Sequence, residues 1–138
     1  MDLFKNVPLL TYEAASRAGD AIIAHARANG WSIAAVIVDY STFPVWGARM
    51  TGAILASWPG AHMKAVSALR FARPTSVMQA SGMQHYLAFD DTLPMTGGVP
   101  IVVGDDVIGG IGIGGGPGGP EGIECAQAGL AALGLQMK

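Results

Sequence analysis

The sequence predicts an α+β domain, a mainly antiparallel sheet covered by helices, and three observations predict it. Helical and strand patterns follow one another in the order α-β-β-α-(α)-β-β-α. The strands come in pairs joined by tight turns, as antiparallel hairpins require. The strict strand–helix alternation of a parallel, doubly wound sheet is missing. With 138 residues, no internal repeat and no linker, the chain reads as one domain, 1–138, large enough to bury a core.

Each element has its own signal. Thr11 is a good N-cap, and Glu13 falls in the positively polarised first turn. Ala14, Ala15, Ala18, Ile22 and Ala26 then recur at helical spacing until Gly30 stops the helix. Ile33–Val38 is a buried strand by length and β-branching, ending at Asp39, and Val45–Met50 returns after a turn at Ser41–Pro44. Pro59 suits the first turn of a second helix, where its missing N–H costs nothing, and Pro74 ends that helix. Thr75–Phe89 reads as a short helix and a loop, broken at Gly82. Pro100–Val103 and Val107–Ile113 flank Gly104-Asp105-Asp106 as a hairpin. Gly114–Pro120 reads as a loop handing over to a last helix, Glu121 to Leu133, stopped by Gly134.

The last strand carries glycine at positions 109, 110 and 112. Such a strand is intrinsically weak, because each glycine brings extra backbone entropy and no packing side chain. It is tolerated where another backbone, a helix or a flat ligand approaches closely. With the following loop and a helix N-terminus, the stretch is expected to form a ligand floor beside the lysine-bearing second helix.

Composition narrows the function classes. Only 13% of residues are charged while 51% are apolar, which points to surface hidden in a homo-oligomer. A net charge of −2 with scattered Lys and Arg gives no electrostatic case for nucleic acid. No apolar run reaches the roughly 18 residues of a membrane span. The N-terminus lacks signal-peptide patterning, so a cytoplasmic location is expected. The single cysteine, Cys125, excludes an intrachain disulfide and a multi-thiolate zinc site.

The glycine loop has no Gly-Lys-Ser/Thr, so it is not a phosphate-binding P-loop; the amides of Gly114, Gly115 and Gly116 would instead hold a carboxylate. Glu121 and Glu124 in the first turn of the last helix oppose that anion. None of His25, His62 and His85 has metal-ligand spacing with another, and no metal site is expected. His62, near Trp58 and Lys64, is the preferred functional histidine, as an iron ligand or proton carrier. Arg49 and Lys64 would neutralise nearby carboxylates or bind a ligand's acid groups. Cys125 beside Glu124 is expected to be a poor nucleophile.

Several stretches together resemble a known family. They are Val36–Asp39, Arg49-Met50 before Gly52-Ala53, Ala61-x-x-Lys64-Ala65-x-x-Ala68-x-x-Phe71, Pro74-Thr75, Gly97-Gly98-x-Pro100-Ile101, Gly109–Ile113 and Cys125-Ala126-x-Ala128-Gly129. In this ordered set the chain resembles the GlcG/HbpS-like haem-binding family, which is related to the C-terminal domain of PduO-type proteins. The resemblance implies a single three-layer, PAS/profilin-like domain with an antiparallel five-stranded sheet between helices. It also implies homo-oligomers and the handling of haem or a corrinoid. Thr51 and Gly114 depart from the family pattern, which has Asp and Ser there, and hint at a changed ligand.

Three readings follow. In the first, the chain binds haem or a related planar cofactor, with His62 or His85 facing the iron and Arg49 and Lys64 on the propionates; Trp46, Trp58, Tyr86 and Glu124 complete the lining. In the second, it is a cofactor-independent isomerase, lyase or cyclase for a small, aromatic or other organic acid. There His62 moves a proton, Lys64 or Arg49 holds the carboxylate, and the Gly114–Gly116 amides stabilise developing charge. In the third, it is an accessory subunit with no ligand.

Overall fold

The computed structural model describes residues 2–82 and 84–138. Helix α1 spans Tyr12–Ala28, and the Thr11 hydroxyl accepts the Ala14 N–H at 3.1 Å as its cap. Strands β1 (Ile33–Asp39) and β2 (Pro44–Arg49) form the first hairpin. Helix α2 runs Ser57–Phe71, α3 is a short helix Thr75–Ala80, and a single 3-10 turn occupies Tyr86–Ala88. Strands β3 (Gly98–Val103) and β4 (Asp106–Gly115) form the second hairpin, and α4 spans Pro120–Ala132. The sheet is antiparallel throughout, in the order β2-β1-β4-β3.

The two central strands explain the three layers. Along β1, Ile33, Ala35 and Ile37 point to one face, and Ala34, Val36 and Val38 to the other. The first face packs with Ile101, Ile111 and Ile113 against Ala18, Ile22 and Ala26 of α1 and Ala126 and Leu130 of α4. The second packs against Ala61, Ala65, Val66 and Leu69 of α2. A strand covered on both sides reads as an unbroken apolar run, as β1 does. The outer strand β3 is fastened at its start: the buried Thr75 hydroxyl accepts the Gly98 N–H at 2.8 Å.

Two expectations are corrected. The sheet has four strands, not the five that the resemblance implies. The residues themselves carry only four strand patterns, and the extended N-terminal stretch pairs with none of them; Leu10 reaches the core, whereas Leu3, Phe4 and Leu9 lie exposed. Gly114 and Gly115 belong to β4 rather than to the loop, because they pair with Ala34 and Ile33.

Candidate functional site

The glycine stripe of β4 is covered by the protein's own backbone. A Cβ at Gly110 would run into the Ala65 carbonyl, at Gly112 into the Ala61 carbonyl, and at Gly114 into the Ser57 carbonyl. On β3, a Cβ at Gly98 would stand 2.5 Å from the Lys64 carbonyl oxygen. Helix α2 therefore lies main chain to main chain on the sheet, through Ala61 and Ala65 on its side and glycine on the other. The space expected for a guest along this stripe is occupied, so the ligand floor is corrected to a helix seat.

The same seating separates the named α2 residues. His62 and Lys64 are two positions apart, hence about 160° apart around the helix. Lys64 leans over β4, where its ammonium donates to the Ile113 carbonyl at 3.0 Å, close to Gly97. Burial, with no carboxylate among the causes, lowers its pKa from 10.5. His62 is half-buried on the opposite flank. Trp58, one turn before it, lays its ring over Gly47 of β2. Trp46 points to the other face of the sheet and packs on Gly19 of α1, so the two tryptophans do not share a pocket.

The remaining named residues are spread more widely. Exposed His85 rests on the ring of buried Tyr86 at 4.2 Å, and Tyr86 meets Phe71 edge-on at 5.0 Å, beyond the C-terminal half of α2. Glu124 lies in the outer helical layer, where its carboxylate accepts from the His25 ring at 3.0 Å. The adjacent Cys125 is buried, and its thiol is pushed up to about 11 by burial first and by Glu124 second. That environment holds it as an unreactive thiol. Among the described residues no three His, Cys, Asp or Glu side chains come together as a metal site.

Arg49, Gly115 and Gly116 lie at the same end of the sheet, on strands separated by β1. Gly115 and Gly116 take left-handed conformations, φ 75° and 63°, and turn the chain out of β4. They line an open groove of about 420 Å³ with Trp31, Ser32, Ala53 and Ile54. Arg49 ends β2 beside it, its guanidinium donating to the Ala53 carbonyl at 3.2 Å. On the other side of the turn that holds Thr51, Arg49 shares a second groove, about 430 Å³, with Arg27. Sequence reasoning missed Trp31, Ser32 and Arg27; the last-turn position of Arg27 in α1 reads only as dipole compensation.

A larger groove, about 620 Å³, lies at the opposite end and contains none of the named residues. Lys5 there pairs with Asp106, and the carboxylates of Asp105 and Asp106 oppose an anionic ligand. The end that carries Arg49 and the glycine turn is the better candidate.

Fold and site together define a three-layer α+β domain with open grooves at one end of its sheet. The profile of the haem-degrading, HbpS-like proteins matches residues 10–131, and the chain belongs to that family. The solved structure of HbpS is similar at 29% identity with a TM-score of 0.87, covering 95% of this chain and 94% of that one. A double mutant of HbpS from Streptomyces reticuli is similar at 29% identity and TM-score 0.84, covering 94% and 90%. A PduO C-terminal domain solved as a haem complex shares the fold at 23% identity and TM-score 0.82, covering 91% and 95%. No protein of curated function matches the sequence. No helix of the described residues is long and apolar enough to cross a membrane.

Proposed function

We propose that this chain is an oligomeric ligand-binding member of the HbpS-like family that takes a planar, carboxylate-bearing molecule, haem or a related cofactor. The ligand lies at the sheet end formed by Trp31, Ala53, Ile54, Gly115 and Gly116, with Arg49 on an acid group. The observation that carries this reading is that an indole and an open glycine turn line one groove, with Arg49 donating to the carbonyl of Ala53 on its wall, in a chain that matches the family over 10–131.

The residues fit the rim of a haem better than its iron. Arg49 suits a propionate, since one N–H is fixed on Ala53 and its other donors have no partner among the described residues. Trp31 and Ile54 offer apolar contact to a flat body. No histidine lines either groove at this end, and His25 is held by Glu124. The expectation that His62 or His85 faces the iron therefore draws no support from their positions, and no step is assigned to a metal here.

Titration with hemin and with iron-free protoporphyrin IX, followed by tryptophan quenching, tests the reading. Both are expected to bind with similar affinity, and Arg49→Gln to weaken both about tenfold. Failure of both to bind overturns it. The alternative, a cofactor-independent enzyme for a small organic acid, draws on one observation, the half-buried amine of Lys64 with its lowered pKa. It needs Lys64 to act without His62, which lies on the other flank. Turnover of an organic acid that survives His62→Ala and is lost in Lys64→Met would favour it.

A further inference from the structure

The two edges of the sheet are built differently. At the β3 edge, Gly98 and Pro100 occupy the outward positions, because the Ile113 N–H donates to the Gly97 carbonyl and pairing alternates from there. The Thr75 hydroxyl takes up the Gly98 N–H, and Pro100 has no N–H to offer. That edge is closed. At the β2 edge, the Met50 N–H donates to the Ile33 carbonyl, so Ala48 and Trp46 also bond inward to β1. The N–H and C=O groups of Gly47 and Arg49 therefore point away from the sheet, and no backbone group of the described residues takes them up. Sheets usually guard such an edge with lysine, acid or proline. Here only Pro44 and the irregularity between Ile37 and Val38 guard its first end, and Arg49 is the one charged side chain of β2.

This edge is complementary to itself. Two antiparallel copies of β2 with Ala48 opposite Ala48 set Gly47 against Arg49 and Arg49 against Gly47. Both are hydrogen-bonded pairs, and they use all the outward groups of the regular stretch. The two arginines stand apart. Each falls opposite a glycine whose face is covered by the Trp58 ring, so the guanidinium of one copy meets the indole of the other. On the opposite face the same register sets Trp46 against Met50, sulfur to ring. Phe43 precedes the strand, Ile54 and Leu55 follow it, and they are 71%, 67% and 80% exposed. Antiparallel pairing brings the first of these to the partner's end that carries the other two.

We propose that β2 joins β2 of a second copy, so that two sheets run on as one through Gly47, Ala48 and Arg49. The inference rests on the oligomeric part of the proposed function and is independent of its ligand. Pairing of one edge per chain makes a dimer; a larger assembly would use other faces as well.

The Ala48–Ala48 position is the place to test it. Residues opposite each other in a non-hydrogen-bonded pair have Cα atoms about 4.5 Å apart, within reach of a disulfide. Oxidised Ala48→Cys is expected to run as a covalent dimer on a non-reducing gel, with the parent, whose cysteine is buried, as control. Ala48→Glu and Ala48→Lys each place like charges face to face and are expected to sediment at lower mass with the parent's circular dichroism; mixed, they are expected to regain the parent's mass. The Gly47 and Arg49 amide hydrogens are expected to exchange at least about tenfold more slowly in the parent than in Ala48→Glu. No covalent dimer, or an Ala48→Glu protein that keeps the parent's mass and exchange rates, would overturn the β2 pairing while leaving an oligomer by another face. A parent with the mass of one chain would overturn both; should Ala48→Glu fail to fold, the Ala48→Cys gel decides alone.

Discussion

Lys64 and Cys125 are the two side chains whose chemistry the fold changes most clearly, and they pull stability in opposite directions at alkaline pH. Burial lowers the Lys64 pKa from 10.5, so the folded protein gives up this proton more readily than the unfolded chain. The penalty is fully present below the lowered value, and stability rises with pH from there to 10.5. For Cys125 the folded thiol holds its proton longer, so stability falls as pH rises from 9.0 to about 11. Urea unfolding across the alkaline range is expected to lose its rising component in Lys64→Met and its falling component in Cys125→Ala; slopes unchanged from the parent would refute both assignments. The Cys125 environment was legible because Glu124 is its neighbour in the chain. The Lys64–Ile113 contact was not, since it joins residues 49 positions apart. The separation of His62 from Lys64 was available from helical periodicity, and pairing them neglected it.

At the scale of elements, the glycine stripe makes a sharp prediction because a single methyl group has opposite effects at two sites. Gly112→Ala drives a Cβ into the Ala61 carbonyl and is expected to cost about 3 kcal/mol or more by overpacking. Gly60→Ala adds the same methyl within α2, where nothing lies within 4 Å, and is expected to stabilise by about 0.5–1 kcal/mol through helix propensity. Thermal and urea unfolding of the two variants measure this, and a tolerated Gly112→Ala would refute the close seating of α2. Helices and strands were largely legible here: Thr11, Pro74 and Gly134 mark ends by local chemistry, and β1 announces itself by β-branching. What a bare strand face receives was not legible. A helix and a flat ligand make the same demand for missing side chains, and only the alanines of α2 at positions 61 and 65 hinted at the helix.

Over the whole molecule, the sparse charge has a counterpart in exposed apolar side chains. Leu3, Phe4 and Leu55 are at least 80% exposed, and Phe43 and Leu9 more than 70%. Burying such groups between copies would offset their cost in water. Light scattering is expected to find a homo-oligomer, and a Leu3→Ser/Phe4→Ser variant to shift it toward smaller species; a parent protein with the mass of one chain would overturn that expectation. The helix seat on β4 has a further consequence at this scale. Because α2 and the sheet touch through peptide groups, no rotamer can relax there, and the join behaves as a rigid girder. The turn after β2 and the turn after β4 are both mounted at its end, so the gap between them is set by main-chain geometry. Residues facing that gap are free to be exchanged for others of new polarity or bulk while the mount keeps its dimensions, which makes this end a natural place to rewrite ligand preference by design.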